Sequence, residues 1–192
     1  MRAPDIYLAS QSPRRRELLA QIGIHCEVVS VDVPETRQVN ESPEDFVQRL
    51  ALDKARAGWQ VSDQACPVLG ADTIVVLGDR ILGKPVSDED AEAMLAALSG
   101  QTHTVMTAVA MIKDEHQAIR LNISQVTFRE TTELERQAYI ATGEPADKAG
   151  GYGIQGHAAV FIQQLQGSYS SVMGLPLFET GQLLEEFAIP VI

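Results

Sequence analysis

Apolar residues recur along the chain at two spacings, and these spacings predict a protein that mixes strands with helices. Short apolar runs bounded by glycine, proline or small polar residues predict strands, whereas apolar positions three and four residues apart predict amphipathic helices. Strands are predicted over residues 6–8, 25–33, 66–77, 81–83, 102–112, 118–129, 158–165 and 169–173. Helices are predicted to begin at Ser12, at Ser42 (ending at Gly58), at Ser87, at Thr131 or Thr132, and at Pro176. This mixture predicts an α/β fold.

Residues 8–19 are the most unusual stretch of the sequence. Their pattern predicts the end of a strand, then a tight polar turn, then the start of a helix. Ser12 is a favourable N-cap, and Pro13 suits the first helical position. Three arginines at residues 14–16 then occupy the first turn, where the helix dipole disfavours cations. Free backbone N–H groups beside arginines suit a phosphate, although a solvated basic turn is the alternative. A phosphate site here would contain Ser10, Ser12, Arg14 and Arg15.

The most apolar segment, residues 66–77, predicts a strand that is covered on both faces. Asp72 and Thr73 interrupt this segment, next to the small residues Gly70 and Ala71. A buried carboxylate is unfavourable unless a cation, a metal ion or hydrogen bonds compensate for its lost hydration. Asp72 is therefore either a functional carboxylate or an acceptor of structural hydrogen bonds, and we favour the functional interpretation.

The charge of the whole chain narrows the class of ligand. The sequence has 192 residues and a formal net charge of −11, which disfavours broad binding to nucleic acid or to an anionic membrane. No apolar run is long enough to span a bilayer, and residues 1–5 lead directly into the first predicted strand. We therefore expect no secretory signal and a cytoplasmic location. A local group of arginines in such an acidic protein predicts a small anionic ligand.

Polar residues in predicted loops, at strand ends and near one helix face provide further candidates. Lys54 follows Leu50 by about one helical turn, and it is either a surface lysine or a residue that reaches into a site. Glu35 is either a loop acid or a metal ligand. Residues 150–156 contain four glycines, which let a backbone approach a ligand closely. The complete set of candidates is Ser10, Arg14, Arg15, Glu35, Lys54, Asp72, Lys84, Asp147, Lys148 and Gln155.

This combination of cations and carboxylates suits the cleavage of a polyphosphate with a divalent metal ion. Cations hold phosphate oxygens and stabilise the charge that develops on them. Carboxylates hold Mg²⁺ and orient or deprotonate water. The sequence has no Ser-His-Asp order and no Cys-His pair that would support covalent catalysis.

Segments in order along nearly the whole chain resemble the motifs of the Maf-like nucleoside triphosphate pyrophosphatases. They are LASQSPRRRELL (residues 8–19), ALDKA (51–55), LGADT (69–73), LGKP (82–85), LSGQTH (98–103), DKAGGYGIQG (147–156), GSY (167–169) and VMGLPL (172–177). The resemblance implies a single domain over residues 1–192, with an elongated mixed α/β sheet, flanking helices and two lobes around a central cleft, related to the inosine triphosphatase type. It also implies hydrolysis of a nucleoside triphosphate to the monophosphate and pyrophosphate with Mg²⁺ or Mn²⁺, and a homodimer, which is common in the family.

The resemblance also implies roles for individual positions. It assigns catalysis to Asp72 (as proton acceptor), Glu35, Lys54 and Lys84, metal binding to Glu35 and Asp72, and substrate binding to Ser10, Arg14, Arg15, Thr73 and Gln155. The specificity positions Arg14, Thr73 and Gln155 are similar to those of the subfamily that acts on dTTP and UTP, and members that act on 7-methyl-GTP differ there. One departure is Pro34, which precedes Glu35 where many members carry a second acid.

Two alternatives to a dTTP/UTP pyrophosphatase with a house-cleaning role stay open. One is a nucleotide-binding regulator of septum formation or cell division that acts without essential turnover. The other is the same class of enzyme with a preference for 7-methyl-GTP. Binding alone does not need a water-activating carboxylate such as Asp72, so the sequence favours the enzyme.

Overall fold

A computed structural model describes residues 3–191 of the chain. The strands are β1 (Ile6–Ala9), β2 (Cys26–Val28), β3 (Val68–Leu77), β4 (Arg80–Leu82), β5 (Thr102–Lys113), β6 (His116–Phe128) and β7 (Ile162–Gln166). The α-helices are α1 (Pro13–Gln21), α2 (Pro43–Val61), α3 (Asp88–Leu98), α4 (Glu133–Ile140), α5 (Tyr169–Val172) and α6 (Leu177–Glu186). Short 3-10 helices lie at Glu144–Asp147, Ala149–Gly151 and His157–Phe161.

The strands of the described residues form one mixed sheet. Its order is β2-β1-β3-β5-β6-β7, and β4 pairs with β3 outside this path. Strand β1 is parallel to both of its neighbours, with Leu8 opposite Val28 of β2 and opposite Leu69 of β3. Strand β4 is antiparallel to β3, and β7 is antiparallel to β6. The predicted α/β fold, a mixed sheet with flanking helices, is confirmed.

Most of the predicted helix starts are confirmed by local hydrogen bonds. Ser42, Ser87 and Thr132 each accept a bond from a backbone N–H of the following turn, which satisfies a donor at the helix end. Ser12 occupies the N-cap position of α1, but its side chain makes no capping bond. Of the helices in residues 3–191, none combines the length and the apolar character that crossing a membrane requires.

Helix α2 continues to Val61 instead of ending at Gly58 as predicted. Gly58 is buried, and a Cβ there would lie 2.7 Å from Val68 Cγ1 and 2.9 Å from Ala9 Cβ. The glycine therefore allows α2 to pack closely on β1 and β3, which is a tertiary requirement rather than a helix stop.

Three of the predicted strands differ in the structure. Strand β2 ends at Val28 instead of residue 33, because its partner β1 ends only one residue after Leu8, which faces Val28. A 3-10 helix occupies residues 157–161, so β7 begins at Ile162. Residues 169–172 form helix α5 instead of a strand, because the Ser168 hydroxyl accepts a bond from the backbone of the first helical turn.

The contacts of the described residues divide the chain into two compact units. The first unit holds residues 3–72, 107–122 and 174–191, and the second holds residues 73–106 and 123–173. Strand β3 passes from the first unit to the second between Asp72 and Thr73.

Each unit has its own apolar packing. In the first unit, Tyr7 and Val68 pack together on neighbouring strands against Trp59. The second unit contains an aromatic cluster in which rings contact one another edge to face or at a tilt, namely Phe128, Tyr139, Tyr152 and Phe161. Tyr152 belongs to residues 150–156, the glycine-rich segment, so this segment is joined to the aromatic cluster through its own side chain.

Candidate active site

The Lys54 ammonium lies between two carboxylates in the first unit. Its Nζ donates to Asp72 Oδ1 at 2.6 Å and lies 2.6 Å from Glu35 Oε1. Asp72 is 7% exposed, whereas the Glu35 side chain is about half exposed. A lysine held by a buried carboxylate is not a solvated surface lysine. The structure therefore disfavours the alternative in which Lys54 is a surface lysine, since its side chain is 14% exposed.

Gly70 allows α2 to bring Lys54 to Asp72. A Cβ on Gly70 would lie 2.3 Å from Ala51 O and 2.5 Å from Ala55 N, which are backbone atoms of α2. Glycine therefore lets β3 approach the helix backbone closely. Asp72 lies two residues further along the strand, so its side chain points to the same face as Gly70. On that face it meets Lys54.

Burial raises the pKa of Asp72 above its ordinary value, because the carboxylate loses hydration. The Lys54 ammonium and the Arg15 guanidinium oppose this shift, and the Glu35 carboxylate adds to it. The result is a carboxylate that is more basic than an exposed aspartate. A raised pKa suits a group that accepts a proton near neutral pH.

Asp72→Asn is expected to preserve or increase the free energy of unfolding at pH 8. A carboxyl group whose pKa is higher in the folded than in the unfolded protein makes folding less favourable as the pH rises through these two values. The advantage of the variant should shrink as the pH falls towards about 4, near the ordinary pKa of aspartate. Urea unfolding at both pH values measures this difference, and a variant whose stability relative to wild type does not rise from pH 4 to pH 8 would contradict the raised pKa.

Arg15 is fixed at the start of α1 by bonds on two sides. Its Nη1 donates to Ser10 Oγ at 2.9 Å, and its Nε donates to Gly174 O at 2.8 Å. The Ser12 N–H also donates to Ser10 Oγ, at 3.2 Å. Burial lowers the pKa of Arg15, and the charge of Asp72 opposes this shift. The turn thus presents an oriented cation beside a helix N-terminus, an arrangement that suits an anion.

The second unit carries three further candidates. Thr73 is half-buried on β3, whereas Lys84 and Gln155 are exposed. The Gly150 N–H donates to Gly83 O at 2.9 Å, and this bond joins the glycine-rich segment to the residue before Lys84. The second unit therefore brings together the segments that carry Lys84 and Gln155.

Glu144 organises the glycine-rich segment, a role that the sequence pattern did not indicate. Its Oε2 accepts a bond from the His157 N–H at 3.0 Å and lies 2.9 Å from His157 Nδ1. Its Oε1 accepts a bond from the Tyr139 hydroxyl. A Cβ at Gly156 would lie 2.0 Å from Glu144 Oε1, so glycine leaves the room that this carboxylate needs. The four glycines in residues 150–156 were the only signal of this role in the sequence, because glycine lets another group pack closely against the backbone.

The sequence candidates Asp147 and Lys148 stabilise the same loop. Lys148 Nζ donates to Asp147 Oδ1 at 2.7 Å and to the Glu144 carbonyl oxygen at 2.6 Å. A Cβ at Gly153 would lie 2.7 Å from Lys148 Cε, so the lysine stem packs directly on the segment. These contacts give Lys148 a structural role in shaping the loop.

Known proteins of one family match this chain over nearly its whole length. A profile of the family described as Maf-like protein matches residues 5–187. The chain belongs to this family. The dTTP/UTP pyrophosphatase of Saccharophagus degradans is 60% identical over 190 residues, covering 97% of this chain and 90% of that protein. The dTTP/UTP pyrophosphatase of Alkalilimnicola ehrlichii is 56% identical over 191 residues, covering 97% and 94%.

The Ham1 protein of Staphylococcus aureus has a similar fold to this Maf-like protein. The two structures align with a TM-score of 0.51 at 14% sequence identity, covering 94% of this chain and 98% of the Ham1 chain. At this identity the likeness concerns the fold alone.

Asp72 and Glu35 of the Maf-like protein are suited to a divalent metal ion. Mg²⁺ in phosphate-handling sites is usually held by one or two carboxylates together with substrate phosphates and water. Both carboxylates contact the same Lys54 ammonium, so their oxygens converge. Within residues 3–191, no group of three or more His, Cys, Asp and Glu side chains is placed to hold a metal ion.

Proposed function

We propose that this Maf-like protein is a house-cleaning pyrophosphatase that hydrolyses dTTP and UTP, and modified pyrimidine nucleotides, to the monophosphate and pyrophosphate. The observation that carries the proposal is the buried Asp72, bonded to Lys54 beside Glu35. The chain that holds this arrangement is 60% identical to a relative named dTTP/UTP pyrophosphatase.

Asp72 is the proton acceptor of the proposed reaction. A water oxygen bonds to the α-phosphorus, and the bond from that phosphorus to the oxygen that bridges to the β-phosphate breaks. Pyrophosphate leaves with the electron pair of the broken bond. Asp72 orients the water and accepts its proton, since its raised pKa makes it a better base than an exposed aspartate. One water is consumed for each nucleotide, and no covalent enzyme intermediate forms.

Four cations are proposed to bind the triphosphate, and Ser10 lies beside one of these cations, Arg15. They are Arg14, Arg15, Lys54 and Lys84. Cations that are held in place before the reaction stabilise charge on phosphate oxygens without a reorganisation cost. Arg15 meets this condition most clearly, because Ser10 and Gly174 fix its guanidinium.

Glu35 and Asp72 are proposed to hold a divalent metal ion, Mg²⁺ or Mn²⁺. When bound, the ion would supply positive charge to phosphate oxygens and lower the pKa of water in its coordination shell. Both carboxylates contact the Lys54 ammonium, and this contact keeps the two proposed metal ligands close together in the chain itself.

Gln155→Ala is expected to lower kcat/KM for dTTP by up to about tenfold, the effect of losing one neutral hydrogen bond. We propose that Gln155 and Thr73 recognise the base, so kcat/KM for GTP should change less. Gln164→Ala, which removes another exposed glutamine of the second unit, is the matched control and should leave both values unchanged. Equal losses on every nucleotide would contradict a role for Gln155 in base recognition.

Pyrophosphate release from a nucleotide panel tests the proposed function. The panel contains dTTP, UTP, CTP, GTP and 7-methyl-GTP, each with Mg²⁺ or Mn²⁺. We expect dTTP and UTP to be hydrolysed fastest. A preference for 7-methyl-GTP would retain the reaction and contradict the substrate, whereas binding without release from any nucleotide would favour a regulator of septum formation or cell division.

The remaining proposals concern the cellular location, the oligomeric state and the partners of the protein. We propose that it acts in the cytoplasm, as a homodimer, on a small nucleotide and without nucleic acid or membrane as partners. The net charge of −11 supports the exclusion of both anionic partners, because each would repel an acidic protein.

A further inference from the structure

Glu35 lies in a segment that no helix or strand holds in place. Residues 29–42 connect β2 to α2, and residues 34–40 are exposed. Side-chain bonds that attach this segment to α2 are therefore able to influence where Glu35 lies.

Glu41 and Arg49 attach this segment to helix α2, and we name the pair the Glu41–Arg49 clamp. Arg49 Nε donates to Glu41 Oε1 at 2.6 Å, and Arg49 Nη2 donates to Glu41 Oε2 at 2.9 Å. The same Nη2 donates to the Thr36 carbonyl oxygen at 3.1 Å. Glu41 Oε2 also accepts a bond from the Gln38 N–H at 2.9 Å. The clamp thus holds the segment at two further points, and one of them is the residue next to Glu35.

The clamp has features that distinguish it from an ordinary surface ion pair. Exposed pairs contribute little to stability, but bidentate arginine–carboxylate pairs within a network are stronger. The Glu41 side chain is 8% exposed, and the Arg49 guanidinium also packs over the Phe46 ring. The hydrogen bonds from Arg49 lower the pKa of Glu41 to about 2. The Glu41 carboxylate therefore stays ionised at any pH near neutrality.

We propose that Glu41 and Arg49 are positioning residues that hold Glu35 in place for nucleotide hydrolysis. This inference rests on the proposed function, in which Glu35 is a catalytic residue. Lys54 also contacts Glu35, but Lys54 is proposed to bind phosphate as well. The clamp also attaches the Glu35 segment to α2, the helix that carries Lys54, and this attachment does not involve Lys54.

Hydrogen exchange of the protein without nucleotide tests whether the clamp holds the segment. Arg49→Ala is expected to speed exchange of the Gln38 and Glu41 amides at least about tenfold, because local opening becomes easier. Arg129→Ala is the matched control, since Arg129 donates two bonds to Glu135 and others to backbone carbonyls in the second unit. Unchanged exchange of both amides in Arg49→Ala would overturn the inference.

Kinetics then separate the positioning of Glu35 from general stabilisation. Arg49→Ala is expected to lower kcat for dTTP by about 10- to 100-fold, the usual effect of removing a group that orients a ligand-binding side chain. In a Glu35→Gln background the same change should lower kcat by less than about threefold, because the carboxylate to be positioned is already absent. Equal losses in the two backgrounds, or an equal loss in Arg129→Ala, would overturn the inference.

If the proposed function is wrong, the experiments give a different pattern of results from the one expected when only the clamp inference is wrong. If the wild type hydrolyses no nucleotide, or if Glu35→Gln keeps full activity, the proposed role of Glu35 is contradicted. The exchange rates of the Gln38 and Glu41 amides still decide whether Arg49 holds the segment, because they are measured without nucleotide.

Discussion

Asp72→Asn is expected to lower kcat for dTTP hydrolysis by roughly 10²- to 10⁴-fold, the range that a positioned general base contributes. Asparagine keeps the shape of the side chain but cannot accept the proton of the attacking water. KM should change less than kcat, because Ser10 and Gly174 still hold the Arg15 guanidinium. The variant is expected to be at least as stable as wild type at pH 8, so the loss of turnover would belong to a folded protein.

Asp63→Asn is the matched control for this variant. Asp63 is another hydrogen-bonded carboxylate of the first unit, and it accepts a bond from the Tyr7 hydroxyl at 2.5 Å. It follows α2 in a loop and has no role in the proposed chemistry, so its variant should keep the kcat of wild type. Steady-state kinetics with circular dichroism of each variant provide the comparison. Turnover near that of wild type in Asp72→Asn would contradict its role as the base.

Gly70→Ala is expected to lower the free energy of unfolding by about 3 kcal/mol or more, at or above the usual range for overpacking a core. The added Cβ would lie 2.3 Å from Ala51 O and 2.5 Å from Ala55 N. Because these are backbone atoms of α2, no side-chain rotation relieves the contact. Helix and strand would have to move apart, which would lengthen the bond between Lys54 and Asp72. We therefore expect hydrolysis to fall together with stability.

Gly181→Ala is the control for this prediction. Gly181 lies within α6, and a Cβ there would have no atom within 4 Å apart from its chain neighbours and the adjacent helix backbone. Alanine is favoured over glycine in a helix by about 1 kcal/mol, so this variant should be as stable as wild type or more stable. Urea unfolding of both variants measures the difference. A Gly70→Ala protein with the stability and turnover of wild type would contradict the close approach of β3 to α2.

Features that depend on a few neighbouring residues could be predicted from the sequence. Ser42 and Ser87 start helices because each bonds a backbone N–H three residues away. Asp72 stood out because a carboxylate within an apolar strand needs a partner. The identity of that partner could not be predicted, since Lys54 lies 18 residues away and comes close only when α2 packs on Gly70.

Features that depend on distant contacts could not be predicted. Gly58 looked like a helix end because the pattern does not show that β1 and β3 pack against it. The bond between Arg49 and Glu41 and the role of Glu144 in the glycine-rich segment depend on loops whose paths no periodicity describes. Residues 169–172 are too few to distinguish a strand from a helical turn, and the Ser168 cap decides between them.

Hydrolysis of dTTP in water enriched in oxygen-18 shows which phosphorus atom the water attacks. We expect the label to enter the thymidine monophosphate, the pyrophosphate to be unlabelled, and Asp72→Asn to form almost no product. Label in pyrophosphate would show attack at the β-phosphorus and contradict the proposed position of the water. Release of labelled inorganic phosphate with a nucleoside diphosphate would contradict the reaction itself.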